Sequence, residues 1–187
     1  MHHVRENEFV KRLWGRLMIE SGAAAYYFTR HSPIRMAVHH LKYKNKPDIG
    51  LIIGREFGKK LRESDLFRTV EAIIPVPLHP RKERLRGYNQ STVFGQGLSE
   101  AMDVPMLGKV LVRRAFTQSQ TKKKRMERFK NVGEVFAVEK PETVEGKHLL
   151  LVDDVLTTGA TLEVCGQVLL EVPRTTLSCA TIAIASR

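Results

Sequence analysis

The chain has 187 residues, 42% of them hydrophobic, which suits one domain of ordinary size, or one domain with a small appendage, and excludes intrinsic disorder. No apolar run approaches the roughly 20 residues that cross a bilayer, and the polar N-terminus has no signal-peptide core behind it, so neither a membrane partner nor secretion is expected. Thirty-one Lys and Arg against 20 Asp and Glu leave a charge of +11, a surplus that suits an anionic partner such as a phosphorylated small molecule or nucleic acid.

In chain order, Phe9, Leu13, Trp14, Leu17 and Met18 recur at roughly helical spacing, and residues 1–22 are expected to dock on a main domain spanning 23–187. Residues 23–29 read as a short strand. After Ser32-Pro33, the positions Ile34, Ala37, Val38 and Leu41 mark an amphipathic helix that stops at Asn45 and Pro47, and a second helix runs from Asp48 to about Arg62. Residues 70–76 form an apolar run without alternation, as in a strand buried on both faces. A loop over 77–87 precedes a helix over 89–102. Residues 110–112 and 134–138 read as strands, with a polar basic loop over 116–124 between them. The strand His148–Val152 runs straight into Asp153-Asp154, then a turn and a helix over 160–171, and residues 176–185 form a final strand. Strands alternating with helices of ten or more residues imply a doubly wound α/β fold, its mostly parallel sheet covered by helices on both faces.

The sharpest signal is the apolar strand that ends in Asp153 and Asp154, followed by Thr157-Thr158-Gly159-Ala160-Thr161 opening a helix. Ligands of parallel sheets bind at the carboxyl ends of strands. A turn that feeds a helix N-terminus presents free backbone N–H groups, and with three threonine hydroxyls it forms a phosphate cradle. Two carboxylates beside such a cradle would repel the phosphate itself, but they can accept hydrogen bonds from neighbouring sugar hydroxyls. No Walker A pattern is present.

These residues resemble the 5-phosphoribosyl 1-pyrophosphate (PRPP) binding motif of type I phosphoribosyltransferases. The wider chain resembles the ComF/amidophosphoribosyltransferase-like branch of that family through three further segments. They are Leu41-Lys42-Tyr43-Lys44; Pro75 to His79 with Arg86-Gly87-Tyr88-Asn89-Gln90; and Thr117 to Gln120 through Arg125 and Arg128 to Asn131. The resemblance implies that Asp153 and Asp154 hold the ribose hydroxyls and that Thr157, Thr158, Gly159, Ala160 and Thr161 wrap the 5′-phosphate. It assigns Arg81, Lys82, Arg84 and Arg86 to the pyrophosphate, for which forked guanidinium donors are suited. A mobile catalytic loop would carry Arg113, Arg114, Gln118, Gln120, Lys122, Lys123 and Arg125, closing over the pyrophosphate and excluding water. The N-terminal segment would supply a hood over the acceptor. Magnesium is expected to arrive with PRPP, and no catalytic base is assigned.

Family members often begin with a four-cysteine zinc module. This chain has no cysteine before Cys165, so zinc is not expected; either the module is absent or the chain begins downstream of it. The family also tends to place a glycine after the PRPP helix, where Glu171-Val172-Pro173-Arg174 stands here, so an altered turn is expected. Cys165 and Cys179 read as buried free thiols of a cytoplasmic protein. Residues 109–130 hold nine Lys and Arg and one acid, Glu127. With Phe116 and Phe129 they leave single-stranded DNA open as a partner, beside PRPP, pyrophosphate or a nucleotide. Lys42, Lys44 and Lys46 are explained by the dipole of the helix they end. A homodimer also stays open.

Overall fold

The computed structural model describes residues 6–29, 32–114 and 135–185. Its elements are α1 (Glu8–Leu13), β1 (Ser21–Phe28), α2 (Pro33–Tyr43), α3 (Pro47–Arg62), β2 (Ala72–Pro75), α4 (Pro80–Arg86) and α5 (Gln90–Met102). There follow β3 (Leu111–Arg113), β4 (Phe136–Val138), a short 3-10 turn at Pro141–Thr143, β5 (His148–Leu156), α6 (Ala160–Leu170) and β6 (Thr176–Ala185). Four strands form a parallel sheet in the order β1-β6-β5-β2, while β3 and β4 pair antiparallel beside it.

The unbroken apolar runs follow from burial on both faces. In β5, Leu149 and Leu151 pack with Phe9 and Leu13 of α1, Leu162 and Leu169 of α6, and Leu111 and Phe136 of the antiparallel pair. Leu150 and Val152 pack on the other face with Val38 and Leu41 of α2, Phe57 and Leu61 of α3, and Phe94 and Leu98 of α5. Each such fully buried side chain stabilises the fold by roughly 1.5–3 kcal/mol. Among the described residues, no helix is long and apolar enough to cross a membrane. Cys165 and Cys179 are free and buried, and burial raises both thiols above their ordinary pKa.

Helices α3 and α5 meet through glycine. A Cβ built on Gly54 would run into the carbonyl of Phe94 and lie 2.9 Å from Gly97 Cα, and one on Gly97 would run into the carbonyl of Leu51. The two backbones therefore touch with no side chain between them.

Several boundaries differ from the sequence reading. Trp14 and Met18 do not dock; they are 69% and 84% exposed, because α1 stops at Leu13 and Gly15 (φ +72°) turns the chain away. Residues 80–86 form a helix, not a loop: Pro80 starts it, His79 caps it through a hydrogen bond from the Arg81 N–H, and Gly87 ends it at φ +82°. The strand read as ending at Val152 runs on to Leu156, so Asp153 and Asp154 lie within β5. After α6, Arg174 takes φ +60°, a conformation that favours glycine, and its exposed side chain pairs with Glu145 at 2.7 Å.

At the end of the sheet away from those aspartates, one hydrogen-bond chain fixes a tautomer. Ser21 Oγ donates to Leu66 O (3.0 Å), so its lone pairs accept from Ser178 Oγ (2.8 Å). Ser178 Oγ in turn accepts from His148 Nε2 (2.8 Å), and in the neutral ring Nδ1 then accepts from Thr69 Oγ1 (2.8 Å). Burial lowers the pKa of this ring, against the neighbouring charges of Glu20 and Glu71, and so favours the neutral form with its proton on Nε2.

Candidate functional site

Asp153 and Asp154 stand near the carboxyl end of β5, a central strand of the sheet. Asp153 Oδ1 accepts from Ser91 Oγ at 2.9 Å and from the Asp154 N–H at 2.8 Å. Ser91 is held in place by Asn89, the cap of α5, whose side chain accepts from the Ser91 N–H at 3.1 Å and donates to Val76 O at 2.9 Å. The end of β2, the start of α5 and the first aspartate are therefore one hydrogen-bonded unit. Asp154 takes a different partner: Lys42 Nζ lies 2.9 Å away, with the two side chains only 24% and 15% exposed.

Burial, first, and the neighbouring Asp154 charge, second, push Asp153 up to about 7, against the lowering effects of its two hydrogen bonds and Lys42. A carboxyl whose folded pKa is raised favours the native state most below its unfolded pKa near about 4, and that advantage is lost as pH rises through the folded value. Over about pH 4.5–7.5, wild-type protein should therefore lose stability with rising pH relative to Asp153→Asn, measured by urea melts at each pH. Parallel curves for the two proteins would mean that Asp153 is not held protonated.

The segment after β5 forms the turn expected of an anion cradle. Gly159 takes φ +84°, and α6 begins there with no side-chain cap. The first N–H groups of a helix have no partner within it. Thr157, Thr158, Ala160 and Thr161 are exposed, Gly159 is buried, and these residues line a notch that Asp153 also borders. The Thr158 hydroxyl accepts weakly from the Ala160 N–H at 3.4 Å.

Of the four basic residues in the segment after β2, Lys82 and Arg86 line a cavity of about 520 Å³ together with Lys42, Tyr43, Asn45 and Leu85. Arg86 stacks 5.3 Å from the Tyr43 ring centre and donates to Gln90 Oε1 at 2.7 Å. Lys42 connects this cavity to Asp154, so the basic segment and the acidic pair share one side of the sheet. Arg81 and Arg84 are exposed on α4 and do not line the cavity. Arg113 lies over Phe136, 5.4 Å from its ring centre, and Arg114 is exposed at the end of β3. Gln118, Gln120, Lys122, Lys123 and Arg125 lie outside the described residues, as do Phe116 and Phe129.

Two residues at the acidic pair escaped the sequence reading. Lys42, attributed there to a helix dipole, forms an ion pair with an aspartate 112 positions away. Its place inside the Leu41-Lys42-Tyr43-Lys44 segment was the one available signal. Ser91 looked like an ordinary first-turn serine, and nothing in its local pattern marked it.

Residues 89–186 match the family described as phosphoribosyl transferase domain. The chain is 33% identical over 135 residues to competence protein F of Haemophilus influenzae, covering 70% of this chain and 58% of that protein. It is 30% identical over 141 residues to the DNA utilization protein YhgH of Escherichia coli K12, covering 74% and 61%. It is 33% identical over 99 residues to competence protein ComFC of Bacillus subtilis, covering 53% and 38%. The chain thus spans between 38% and 61% of the length of these relatives. Among solved structures, the glutamine PRPP amidotransferase of B. subtilis complexed with ADP and GMP superposes with a TM-score of 0.54 at 16% identity, over 78% of this chain and 30% of that one. That likeness is one of fold.

Proposed function

We propose that this chain, which belongs to the phosphoribosyl transferase domain family as a ComF-like member, binds PRPP with magnesium and transfers its phosphoribosyl group with release of pyrophosphate. The observation that carries the reading is the pair Asp153 and Asp154 at a strand end, followed at once by an uncapped helix start with Gly159 at φ +84°.

In this reading Asp153 and Asp154 accept hydrogen bonds from the ribose hydroxyls, and the backbone N–H groups and hydroxyls of Thr157–Thr161 take the 5′-phosphate. Lys82 and Arg86, with the exposed Arg81 and Arg84, face the pyrophosphate. The hard carboxylate oxygens suit magnesium, which when bound helps to neutralise the leaving pyrophosphate. The acceptor's nucleophilic atom bonds to ribose C1 as the C1–O bond to pyrophosphate breaks, and the pyrophosphate leaves with that electron pair. Positive charge gathers on the ribose meanwhile, so the site's contribution is electrostatic and no side chain need become a nucleophile. The acceptor is unassigned. Two buried free thiols support the cytoplasm as the place of action.

The test is pyrophosphate release from PRPP and magnesium with a panel of bases and amines. Release that depends on one acceptor establishes turnover, and no release despite PRPP binding reduces the role to binding alone. The names of the relatives, competence and DNA utilization proteins, together with the charge of +11, favour single-stranded DNA as a further partner. A salt-dependent shift of a labelled oligonucleotide checks it.

A division of labour is expected within the basic segment. Arg81→Ala with Arg84→Ala should weaken pyrophosphate binding about tenfold, the equivalent of one charge-assisted hydrogen bond, and leave ribose 5-phosphate nearly unchanged. Calorimetry with both ligands decides it, and equal losses would mean that the two arginines act through stability.

A further inference from the structure

We infer that Arg12 and Arg16, in the N-terminal segment, are positioning residues for the 5′-phosphate loop. They hold its peptide units so that the N–H groups of Thr158 and Gly159 face the anion. The inference rests on the proposed reading of residues 157–161.

Both guanidinium groups approach the loop through its carbonyls. Arg12 Nη1 donates to Thr157 O at 3.1 Å and to Ala185 O at 2.7 Å, while Nη2 pairs with Glu8 at 2.8 Å. Arg16 Nη1 donates to Thr158 O at 2.7 Å, and its Nη2 pairs with Glu163 in the first turn of α6. In a trans peptide the C=O and N–H point in opposite directions. Drawing the carbonyls of Thr157 and Thr158 toward the arginines therefore directs the next two N–H groups, those of Thr158 and Gly159, to the other side. That other side is the exposed face of the turn, where a phosphate would bind.

Packing between the two arginines fixes the arrangement. Leu13 lies against Gly159 so closely that a Cβ there would be 2.7 Å from Leu13 Cδ2, and Gln167 Nε2 donates to Arg16 O at 3.2 Å. The loop is thus clamped from behind before any ligand arrives, which lowers the ordering cost of binding. Charge adds to geometry: Glu163 sits where a carboxylate would repel an anion at the helix start, and Arg16 neutralises it.

The experiment compares ribose 5-phosphate with pyrophosphate, by calorimetry, in the wild type, Arg16→Gln, Arg16→Lys and Arg12→Lys. The expected result for Arg16→Gln is about a tenfold rise in the Kd of ribose 5-phosphate, the size of one charge-assisted hydrogen bond, with the Kd of pyrophosphate within twofold of wild type. Arg16→Lys should recover part of the loss, because one ammonium can reach a carbonyl or Glu163 but not both in the same plane. Arg12 is 7% exposed, so if its variant does not fold, Arg16, at 38%, decides alone. Unchanged ribose 5-phosphate affinity in Arg16→Gln, or equal losses for both ligands, overturns the inference while leaving the loop's role intact. A wild type with no affinity for ribose 5-phosphate overturns the loop reading itself and the inference with it.

Discussion

Replacing Asp153 and Asp154 together by asparagine is expected to abolish measurable PRPP binding while the protein stays folded. A ribose hydroxyl bound to the charged Asp154 makes a hydrogen bond of about 1.5–3 kcal/mol, and one bound to Asp153, which burial drives toward its neutral form, about 0.5–1.5 kcal/mol. Losing both reduces affinity by roughly 30-fold to 10³ or more. Asparagine keeps the shape and one acceptor oxygen, so the loss measures the carboxyl chemistry and not a cavity. The fold should tolerate the change because Asp153 is already driven toward its neutral form by burial. The cost falls on Lys42, whose ammonium loses its partner in a half-buried place. Calorimetry with PRPP and magnesium reads the affinity, and near-ultraviolet circular dichroism confirms folding. An unchanged affinity in a folded double variant would remove the acidic pair from the site.

The largest effect on stability is expected where α3 meets α5. Gly54→Val and Gly97→Val each push a branched side chain into the opposite backbone, the Phe94 carbonyl in one case and the Leu51 carbonyl in the other. Backbone cannot rotate aside as a long side chain can, so the helices must separate. Buried Phe57, Phe94 and Leu98, which share that interface, then lose packing. The expected cost is about 3 kcal/mol or more, which for a chain of this size lowers Tm by roughly 10 °C. Gly108→Ala is the control: the nearest atom to a Cβ there is Pro75 Cγ at 4.0 Å, so Tm should hold within about 2 °C. A thermal melt by circular dichroism separates the cases, and a Gly97→Val protein as stable as wild type would contradict the close approach.

What could be read from the sequence follows physical range. The strand over 176–185 and the helix from Ala160 were legible because burial on both faces and a glycine turn leave local marks. The acidic pair and its turn were legible because both carboxylates and all three threonines fall within nine positions of each other. The helix over 80–86 was misread although Pro80 and Gly87 bracket it, because its apolar content is one exposed leucine, Leu85. The glycines of α3 and α5 carry low helix propensity and look like flaws until the partner helix is known. Lys42 and Asp154, or Arg16 and Thr158, meet over more than a hundred residues, and no local pattern encodes such a meeting.

The strand order has a temporal consequence. β1 has one neighbour in the sheet, β6, and these are the first and last strands of the described chain. A ribosome that has released residues 21–28 must deliver some 150 more before that edge finds its ladder, whereas β2 and β5 can pair earlier. Closing so long a loop is slow and leaves an apolar edge waiting. Arg12 bonds both to Ala185 at the end of β6 and to the loop after β5, so the two halves of that clamp also meet only once β6 has been made. The turn over 157–161 therefore acquires its clamped shape late, after β6 has emerged and long after the arginines that hold it.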